Sequence, residues 1–239
     1  MHKEFTIIIP VFNEEPCLPH LFPVLKDYVL KASKTTSILF VDDGSTDKSP
    51  LLISKFCEQN KDFDYLLFDR NYGKGAALKA AFDYVETPLL GYIDADLQTQ
   101  PEDFELLFPY TDEYDLVSGW RSDRKDSAVK RFSSKFGNAI RNAFTNDNMH
   151  DTGCPLKIIK TEFAKKIPMF QGLQRFLPAM VLLQQGKIKE VKIEHYPRIA
   201  GKSKYNFKNR FLGPLVDCFA YIWMKKTYIN YRVTQKSND

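Results

Sequence analysis

The stretch LLGYIDADLQTQPED, residues 89–103, indicates how this chain folds and where its chemistry lies. Leu89 to Ile93 is an apolar run with the length of a buried strand, and a polar turn follows it. Asp94 and Asp96 stand directly after the run, and carboxylates this close repel each other unless a cation or proton lies between them. Mg²⁺ binds one or two carboxylates and keeps its other positions for phosphates and water. An isolated Asp-x-Asp is more often a solvated acidic turn, so other features must decide.

Strand-like and helix-like segments alternate along the first half of the chain. The strand-like runs are Phe5–Ile9, Ser37–Val41, Asp64–Phe68, Leu89–Ile93 and Asp115–Ser118, with a late run at Lys187–His195. Helical patterns cover Leu18–Leu30, the segment after a Ser45–Asp47 cap, Gly75 to about Val85, about 128–144, and about 161–185 with breaks at Pro168 and Pro178. This alternation predicts an α/β domain with a mostly parallel central sheet flanked by helices. Ligands bind such sheets at the carboxyl ends of the strands, where the polar motifs of this chain begin.

Size and composition predict one large domain with an appendage. The chain has 239 residues, of which 44% are hydrophobic and 27% charged, as in globular proteins. Its four cysteines show no CxxC spacing, which favours reduced structural thiols over a disulfide framework or a zinc site. The first apolar run is too short for a signal peptide, and no stretch reaches the ~18 apolar residues of a membrane span. We therefore expect a cytoplasmic protein.

Three more polar motifs follow strand-like runs: PVFNEE at 10–15, VDDGSTDKS at 41–49 and DRNYGKGAALKAAF at 69–82. Asp42 and Asp43 are suited to accept hydrogen bonds from a base or a ribose, although the same cluster is typical of a turn with a helix cap. Lys74, before a helix, brings an ammonium and backbone N–H groups to where a nucleotide would lie. The P-loop and GxGxxG patterns are both absent, which argues against a dinucleotide-binding enzyme.

The order of these motifs, PVFNEE, VDDGSTD, NYGKGAA and DADLQ, resembles that of family-2 glycosyltransferases with the GT-A fold. The later runs GWR (119–121), KRFSSKFGN (130–138), DTGCPLK (151–157) and GKSKYN (201–206) are similar to the branch of dolichol-phosphate mannosyltransferases and bacterial polyprenyl-phosphate glycosyltransferases. The resemblance spans roughly residues 5–206, and Pro155 replaces a commoner glycine. It implies a GT-A catalytic domain over residues 1–206.

The resemblance also implies a donor site and a metal site. The positions that would bind the nucleotide sugar are Pro10, Phe12, Asn13, Glu14, Asp42, Asp43, Lys74, Asp94, Ala95 and Asp96. Asp94, Asp96 and Gln98 would surround Mg²⁺ or Mn²⁺, which neutralises the diphosphate leaving group. The implied reaction is an inverting transfer of one sugar from a GDP- or UDP-sugar to a dolichyl or undecaprenyl phosphate. The residues do not distinguish the two bases, the sugar or the length of the lipid.

The implied acceptor is a phosphate monoester, whose second pKa of ~6 leaves it largely dianionic at neutral pH. Such a nucleophile needs cations to position it but no general base. Arg121, Arg131 and Ser134 match the acceptor-phosphate positions, and Arg198, Ser203, Lys204 and Tyr205 match a basic loop expected to close over both substrates. The alternatives are ordinary surface arginines and a solvated basic loop. A glycosyltransferase with a hydroxyl acceptor, which would need a carboxylate base, and a non-catalytic nucleotide-sugar-binding protein also stay open.

Residues 207–239 form the predicted appendage. From Lys187 onward the chain carries 12 Lys or Arg and 4 Asp or Glu, a net charge of +8, whereas the rest is acidic. Leu212 to Met224 has helical apolar spacing, is too short to span a bilayer, and includes Trp223, a residue type favoured at bilayer interfaces. We expect an amphipathic helix on the cytoplasmic face of a membrane. A helix packed on the catalytic domain and a docking helix for a membrane-anchoring subunit or a second copy are the alternatives, and no nucleic-acid-binding pattern is present.

Overall fold

The computed structural model describes residues 2–121, 138–139, 141–194 and 212–230. Seven strands form one sheet: β1 (Phe5–Val11), β2 (Thr36–Asp42), β3 (Phe63–Leu67), β4 (Leu89–Tyr92), β5 (Leu116–Arg121), β6 (Lys157–Lys160) and β7 (Ile188–Ile193). The α-helices whose full extent lies in the described part of the chain are α1 (Leu18–Lys31), α2 (Ser49–Glu58), α3 (Lys74–Tyr84), α4 (Thr161–Lys165), α5 (Leu177–Leu183) and α6 (Leu212–Thr227). Three 3₁₀ helices, Pro101–Leu106, Phe108–Tyr110 and Leu173–Arg175, complete these elements.

The strand order β3-β2-β1-β4-β6-β5-β7 explains where a site can form. Strands β3, β2, β1 and β4 run parallel to one another, and β7 runs parallel to β5. After β1 the chain builds outward to β2 and β3 and then returns to place β4 on the other side of β1. The carboxyl ends of β1 and β4 therefore flank a topological switch point, where open α/β sheets bind their ligands.

The hydrophobic core lies on both faces of the sheet because the strand side chains alternate. Ile7 and Ile9 of β1 pack on one face in a cluster with α1, whereas Ile8 packs on the other face in a cluster with α3. Both faces of the central strands are buried, as a parallel sheet covered by helices requires. The mostly parallel α/β architecture is therefore confirmed.

Two predictions about local structure were wrong. Strand β6 (Lys157–Lys160) was absent from the predicted strand-like runs, and it runs antiparallel between β4 and β5. The segment predicted as broken helix over about 161–185 forms two short α-helices and one 3₁₀ turn. The predicted cap of α2 is present at Asp47, whose Oδ1 accepts the N–H of Ser49, the first residue of the helix, at 2.9 Å. Asp47 Oδ2 and the side chains of Ser45 and Thr46 also bond to the loop after β1.

Helix α6 packs on the domain through one face. Cys218, Tyr221 and Met224 are buried within the second core cluster, where the rings of Tyr221 and Phe176 stack at 6.1 Å. Val216, Phe219 and Trp223 point outward and are 60–67% exposed. No helix in the described part of the chain has the length and apolar character to cross a membrane. The helix is thus both a packed element and the carrier of an exposed apolar face.

Candidate active site

The loops after β1 and β2 are held together at the switch point. Asn13 adopts a left-handed backbone with φ of 52°, and its N–H donates to Ser45 Oγ at 2.8 Å. Its side-chain Oδ1 accepts from the Thr46 N–H at 2.7 Å. Glu14 donates its N–H to Ser49 Oγ at 3.0 Å. These bonds explain why Ser45 to Asp47 are polar, and they place Phe12, Asn13 and Glu14 beside the end of β2.

The two neighbouring aspartates at the end of β2 have different environments. Asp43 accepts hydrogen bonds from the Tyr72 N–H at 2.7 Å and from the Gly73 N–H at 2.9 Å, so it holds the loop that leads into α3. Burial raises the pKa of Asp43. Asp42 Oδ1 accepts from the Ser45 N–H at 2.8 Å, but Asp42 Oδ2 is buried with no hydrogen bond in the described part of the chain. Among these carboxylate oxygens, Asp42 Oδ2 is the acceptor that a ligand donor would satisfy.

The first acidic residue after β4, Asp94, is paired with Lys74. Lys74 opens α3 behind Gly73, whose φ of 91° suits glycine. The Lys74 ammonium contacts Asp94 Oδ1 and lies 5.4 Å from the centre of the Tyr92 ring. The exposed fractions of the two side chains are 25% for Lys74 and 39% for Asp94, so the pair faces the open edge of the sheet.

The second acidic residue, Asp96, lies deeper and is 8% exposed. Its Oδ1 accepts the N–H of Gln98 at 3.2 Å, and Leu97 between them has a left-handed φ of 55°. A left-handed backbone at a leucine is uncommon and concentrates at functional sites. No group of three or more His, Cys, Asp or Glu side chains suited to a metal occurs among the described residues. Two carboxylates and the Gln98 amide are nevertheless hard oxygen donors that fit Mg²⁺ or Mn²⁺.

Arg121, the last residue of β5, forms a buried ion pair that the sequence analysis missed. Its Nε donates to Asp151 Oδ2 at 2.7 Å and its Nη2 to Asp151 Oδ1 at 3.1 Å. Both side chains are 8% exposed. Burial alone would lower the pKa of Arg121, but the hydrogen bonds and charge of Asp151, with a contribution from Asp94, raise it. Asp94 is thus near enough to Arg121 to affect its charge, although less strongly than Asp151 does.

Cys154 belongs to the same loop as Asp151 and has a structural role. Its thiol is fully buried, and burial raises its pKa to about 11. A thiol with this pKa is protonated at neutral pH and is a poor nucleophile. This agrees with the prediction that the cysteines are reduced structural thiols.

The structure brings the predicted donor and metal residues to one edge of the sheet. Pro10 lies in β1, Ala95 is 4% exposed between the two acidic residues, and Arg121 ends β5. Six predicted residues lie outside the described part of the chain: Arg131, Ser134, Arg198, Ser203, Lys204 and Tyr205. Asp151, the missed partner of Arg121, stands in the DTG run that the sequence analysis quoted. The sequence does not show that this aspartate pairs with an arginine 30 positions away.

Comparisons with known proteins agree with this geometry. The family model described as "Glycosyl transferase family 2" matches residues 6–168. Undecaprenyl-phosphate 4-deoxy-4-formamido-L-arabinose transferase of Salmonella choleraesuis (strain SC-B67) is 32% identical over 220 residues, which cover 90% of this chain and 67% of that protein.

Two solved structures share the fold at low identity. Glucosyl-3-phosphoglycerate synthase of Mycobacterium tuberculosis, in complex with Mn²⁺, UDP-glucose and phosphoglyceric acid, superposes with a TM-score of 0.70 at 13% identity, covering 95% of this chain and 81% of that one. A mannosyltransferase of Pyrobaculum calidifontis in complex with GDP-Man and Mn²⁺ gives a TM-score of 0.64 at 18% identity, covering 92% and 64%. At these identities the likeness concerns the fold alone.

Proposed function

This chain belongs to glycosyl transferase family 2 and has the GT-A fold, and we propose that it transfers one sugar from a UDP- or GDP-sugar to a polyprenyl phosphate. That it is a glycosyltransferase follows from its family. The observation that carries the finer proposal is the buried Arg121, held side-on by Asp151 within the electrostatic reach of Asp94. The 32% identical relative, named for a transfer to undecaprenyl phosphate, supports the same acceptor.

The donor nucleotide lies, in this proposal, over the carboxyl ends of β1 and β2. Asp42 Oδ2 is suited to accept a hydrogen bond from a base N–H or a ribose hydroxyl, because it is a buried acceptor without a bond to the described residues. Asn13 and Glu14 shape this pocket through the loop that they hold. Asp43 acts indirectly, since its carboxylate fixes the loop that carries Lys74.

The diphosphate lies near the acidic pair. Asp94, Asp96 and Gln98 would hold Mg²⁺ or Mn²⁺, and such an ion neutralises the charge on the departing nucleoside diphosphate. Lys74 adds a positive charge beside Asp94 on the same edge. An oxygen of the lipid phosphate forms the new bond to the anomeric carbon while the bond to the diphosphate breaks on the opposite face, which inverts the configuration.

A phosphate acceptor fits Arg121 better than a hydroxyl acceptor. The side-on pair with Asp151 uses two of the five guanidinium N–H groups, which leaves three for an anion. A hydroxyl acceptor would need a carboxylate base, but the carboxylate next to Arg121 is already bonded to it. The proposed acceptor site is completed by residues outside the described part of the chain: Arg131, Ser134 and the closing-loop residues Arg198, Ser203, Lys204 and Tyr205.

The outer face of α6 supports attachment to a membrane surface. Val216, Phe219 and Trp223 form an exposed apolar stripe, and Lys225 and Lys226 follow at the end of the helix. A helix with an apolar face next to lysines is suited to lie in the headgroup region of an anionic bilayer. We place the protein on the cytoplasmic face, where the helix brings the acceptor lipid near the active site. Docking to a membrane subunit or a second copy is the competing use of this face.

The experiment compares acceptors. The purified chain is supplied with Mn²⁺ and a panel of UDP- and GDP-sugars, with either undecaprenyl phosphate in detergent or soluble sugars as acceptors. We expect a lipid-phosphate-linked sugar, identified by mass spectrometry, and transfer only to soluble sugars would refute the proposal. Asp96→Asn tests the metal site separately, because it should weaken Mn²⁺ binding in the presence of UDP or GDP, measured by electron paramagnetic resonance.

A further inference from the structure

The loop that carries Asp151 is held at its backbone N–H groups by a carboxylate from β7. Glu190 Oε1 accepts the N–H of Asp151 at 2.9 Å, and Glu190 Oε2 accepts the N–H of His150 at 2.8 Å. The His150 ring nitrogen Nδ1 lies 2.8 Å from the same Oε2. The Glu190 side chain is 9% exposed, whereas the His150 side chain that it contacts is 63% exposed. Hydrogen bonds to an ionised acceptor are stronger than neutral ones.

The carbonyl groups of the same loop are held by a buried lysine from β6. Lys157 has no exposed surface, and its ammonium donates to the Thr152 carbonyl at 3.2 Å and also to the Cys154 carbonyl. The ammonium lies 5.5 Å from the centre of the Tyr92 ring, which offers a cation–π contact. Among the described residues it forms no ion pair with a carboxylate. Burial lowers the pKa of Lys157 to about 8.

A buried ammonium without a carboxylate partner is costly to desolvate, and the hydrogen bonds to the two loop carbonyls offset part of that cost. Hydrogen bonds therefore hold the loop at two places, by Glu190 at its N–H groups and by Lys157 at its carbonyl groups. Asp151 belongs to this loop, and its carboxylate accepts the hydrogen bonds of Arg121. A shift of about 1 Å in a group that orients a substrate is enough to cost a large factor in rate.

We propose that Lys157 and Glu190 are positioning residues that hold the loop 150–156, so that Asp151 presents the Arg121 guanidinium to the phosphate of the acceptor lipid. This inference rests on the proposed function, because it takes Arg121 as a ligand of that phosphate. The two residues touch no substrate. Their effect passes through the loop and through the Arg121–Asp151 pair.

Hydrogen exchange tests, without any substrate, whether Glu190 holds the loop through the amides of His150 and Asp151. In Glu190→Gln, the amides of His150 and Asp151 lose their ionised acceptor, and we expect them to exchange at least about tenfold faster than in the unsubstituted chain. The amides of β1 serve as an internal reference and should not change. If both amides are equally protected in the variant and in the unsubstituted chain, the claim that Glu190 holds the loop is wrong.

Binding of farnesyl phosphate, a soluble polyprenyl phosphate, tests the consequence. Lys157→Met and Glu190→Gln should each weaken its binding about tenfold or more, while Mn²⁺-dependent binding of UDP or GDP stays within about twofold, both by calorimetry below the unfolding temperature. Lys160→Met is the matched control, since Lys160 lies on the same strand and pairs with Asp115 at 2.8 Å, and it should bind like the unsubstituted chain.

The outcomes separate the two hypotheses. Unchanged farnesyl phosphate binding in Lys157→Met and Glu190→Gln would overturn the positioning role and leave the proposed function intact. A parallel loss of nucleotide binding would also overturn it, because general misfolding would then explain the result. If the unsubstituted chain binds no farnesyl phosphate, the proposed function is wrong. Hydrogen exchange alone then decides whether Glu190 holds the loop.

Discussion

Removing the carboxylate of Asp151 should destabilise the protein more than any surface substitution. In Asp151→Ala, Arg121 keeps its buried position but loses both acceptors, which lie 2.7 and 3.1 Å from its nitrogen atoms. Both side chains are only 8% exposed, so water cannot easily replace the carboxylate. Breaking a buried pair from one side costs about 3–5 kcal/mol, and we expect a loss of this size in the free energy of unfolding.

Urea denaturation of the single and double variants measures this loss. Arg121→Met with Asp151→Leu removes both charges, and we expect the double variant to be at least about 2 kcal/mol more stable than Asp151→Ala, because no buried charge is left unpaired. Asp27→Ala provides the control, since Asp27 pairs with Lys31 on an exposed turn of α1 and should lose less than about 0.5 kcal/mol. A cost below about 1 kcal/mol for Asp151→Ala, with no gain in the double variant, would refute the buried-pair argument.

Three further variants test other parts of the structure. Burial raises the pKa of Asp103 from 3.8 to about 6, so the folded state resists its ionisation and loses stability as the pH rises through this window. Asp103→Asn should therefore raise the melting temperature at pH 7.5 and give no gain below pH ~4, and a constant difference across this range would contradict the assignment. Gly44→Ala should cost about 2 kcal/mol or more in urea denaturation, because Gly44 has a φ of 69° and a Cβ would lie 2.1 Å from the Arg70 carbonyl carbon; an unchanged midpoint would show that the turn can rearrange. Phe219→Ser with Trp223→Ser should reduce co-sedimentation with phosphatidylglycerol vesicles about tenfold while transfer to soluble farnesyl phosphate continues, and retention on the vesicles would assign the α6 face to a protein partner.

Much of the fold was predictable because local patterns and burial agree in the central strands. The apolar runs of β1, β2 and β4 are buried on both faces, and such strands are visible as continuous hydrophobic segments. Strand β6 was missed for the opposite reason. It has four residues and begins with Lys157, a charged side chain that only its tertiary neighbours allow to be buried.

The candidate site was predictable in its location and less so in its internal bonds. The order of strand-end motifs places Asp42, Asp94 and Asp96 at one edge without any coordinates. The different environments of Asp42 and Asp43 were not predictable, since they depend on which loop amide reaches which oxygen. The hydrogen bond from the Asn13 N–H to Ser45 was unpredictable for the same reason, because it joins two loops that meet only in the fold.

By itself, the sequence determined the parallel α/β architecture, the position of the acidic pair after β4 and the resemblance to polyprenyl-phosphate glycosyltransferases. These features depend on residue type and on short-range order along the chain, which the amino-acid sequence contains directly. Only the tertiary structure decided that Asp151 holds Arg121 and that Lys157 and Glu190 hold the loop of Asp151. The Arg121–Asp151 and Glu190–Asp151 contacts join residues 30 and 39 positions apart, and hydrogen bonding depends on distances and angles that arise only when the sheet brings its strand ends together. The Lys157 bonds are local in sequence, but the burial of that ammonium depends on its tertiary neighbours.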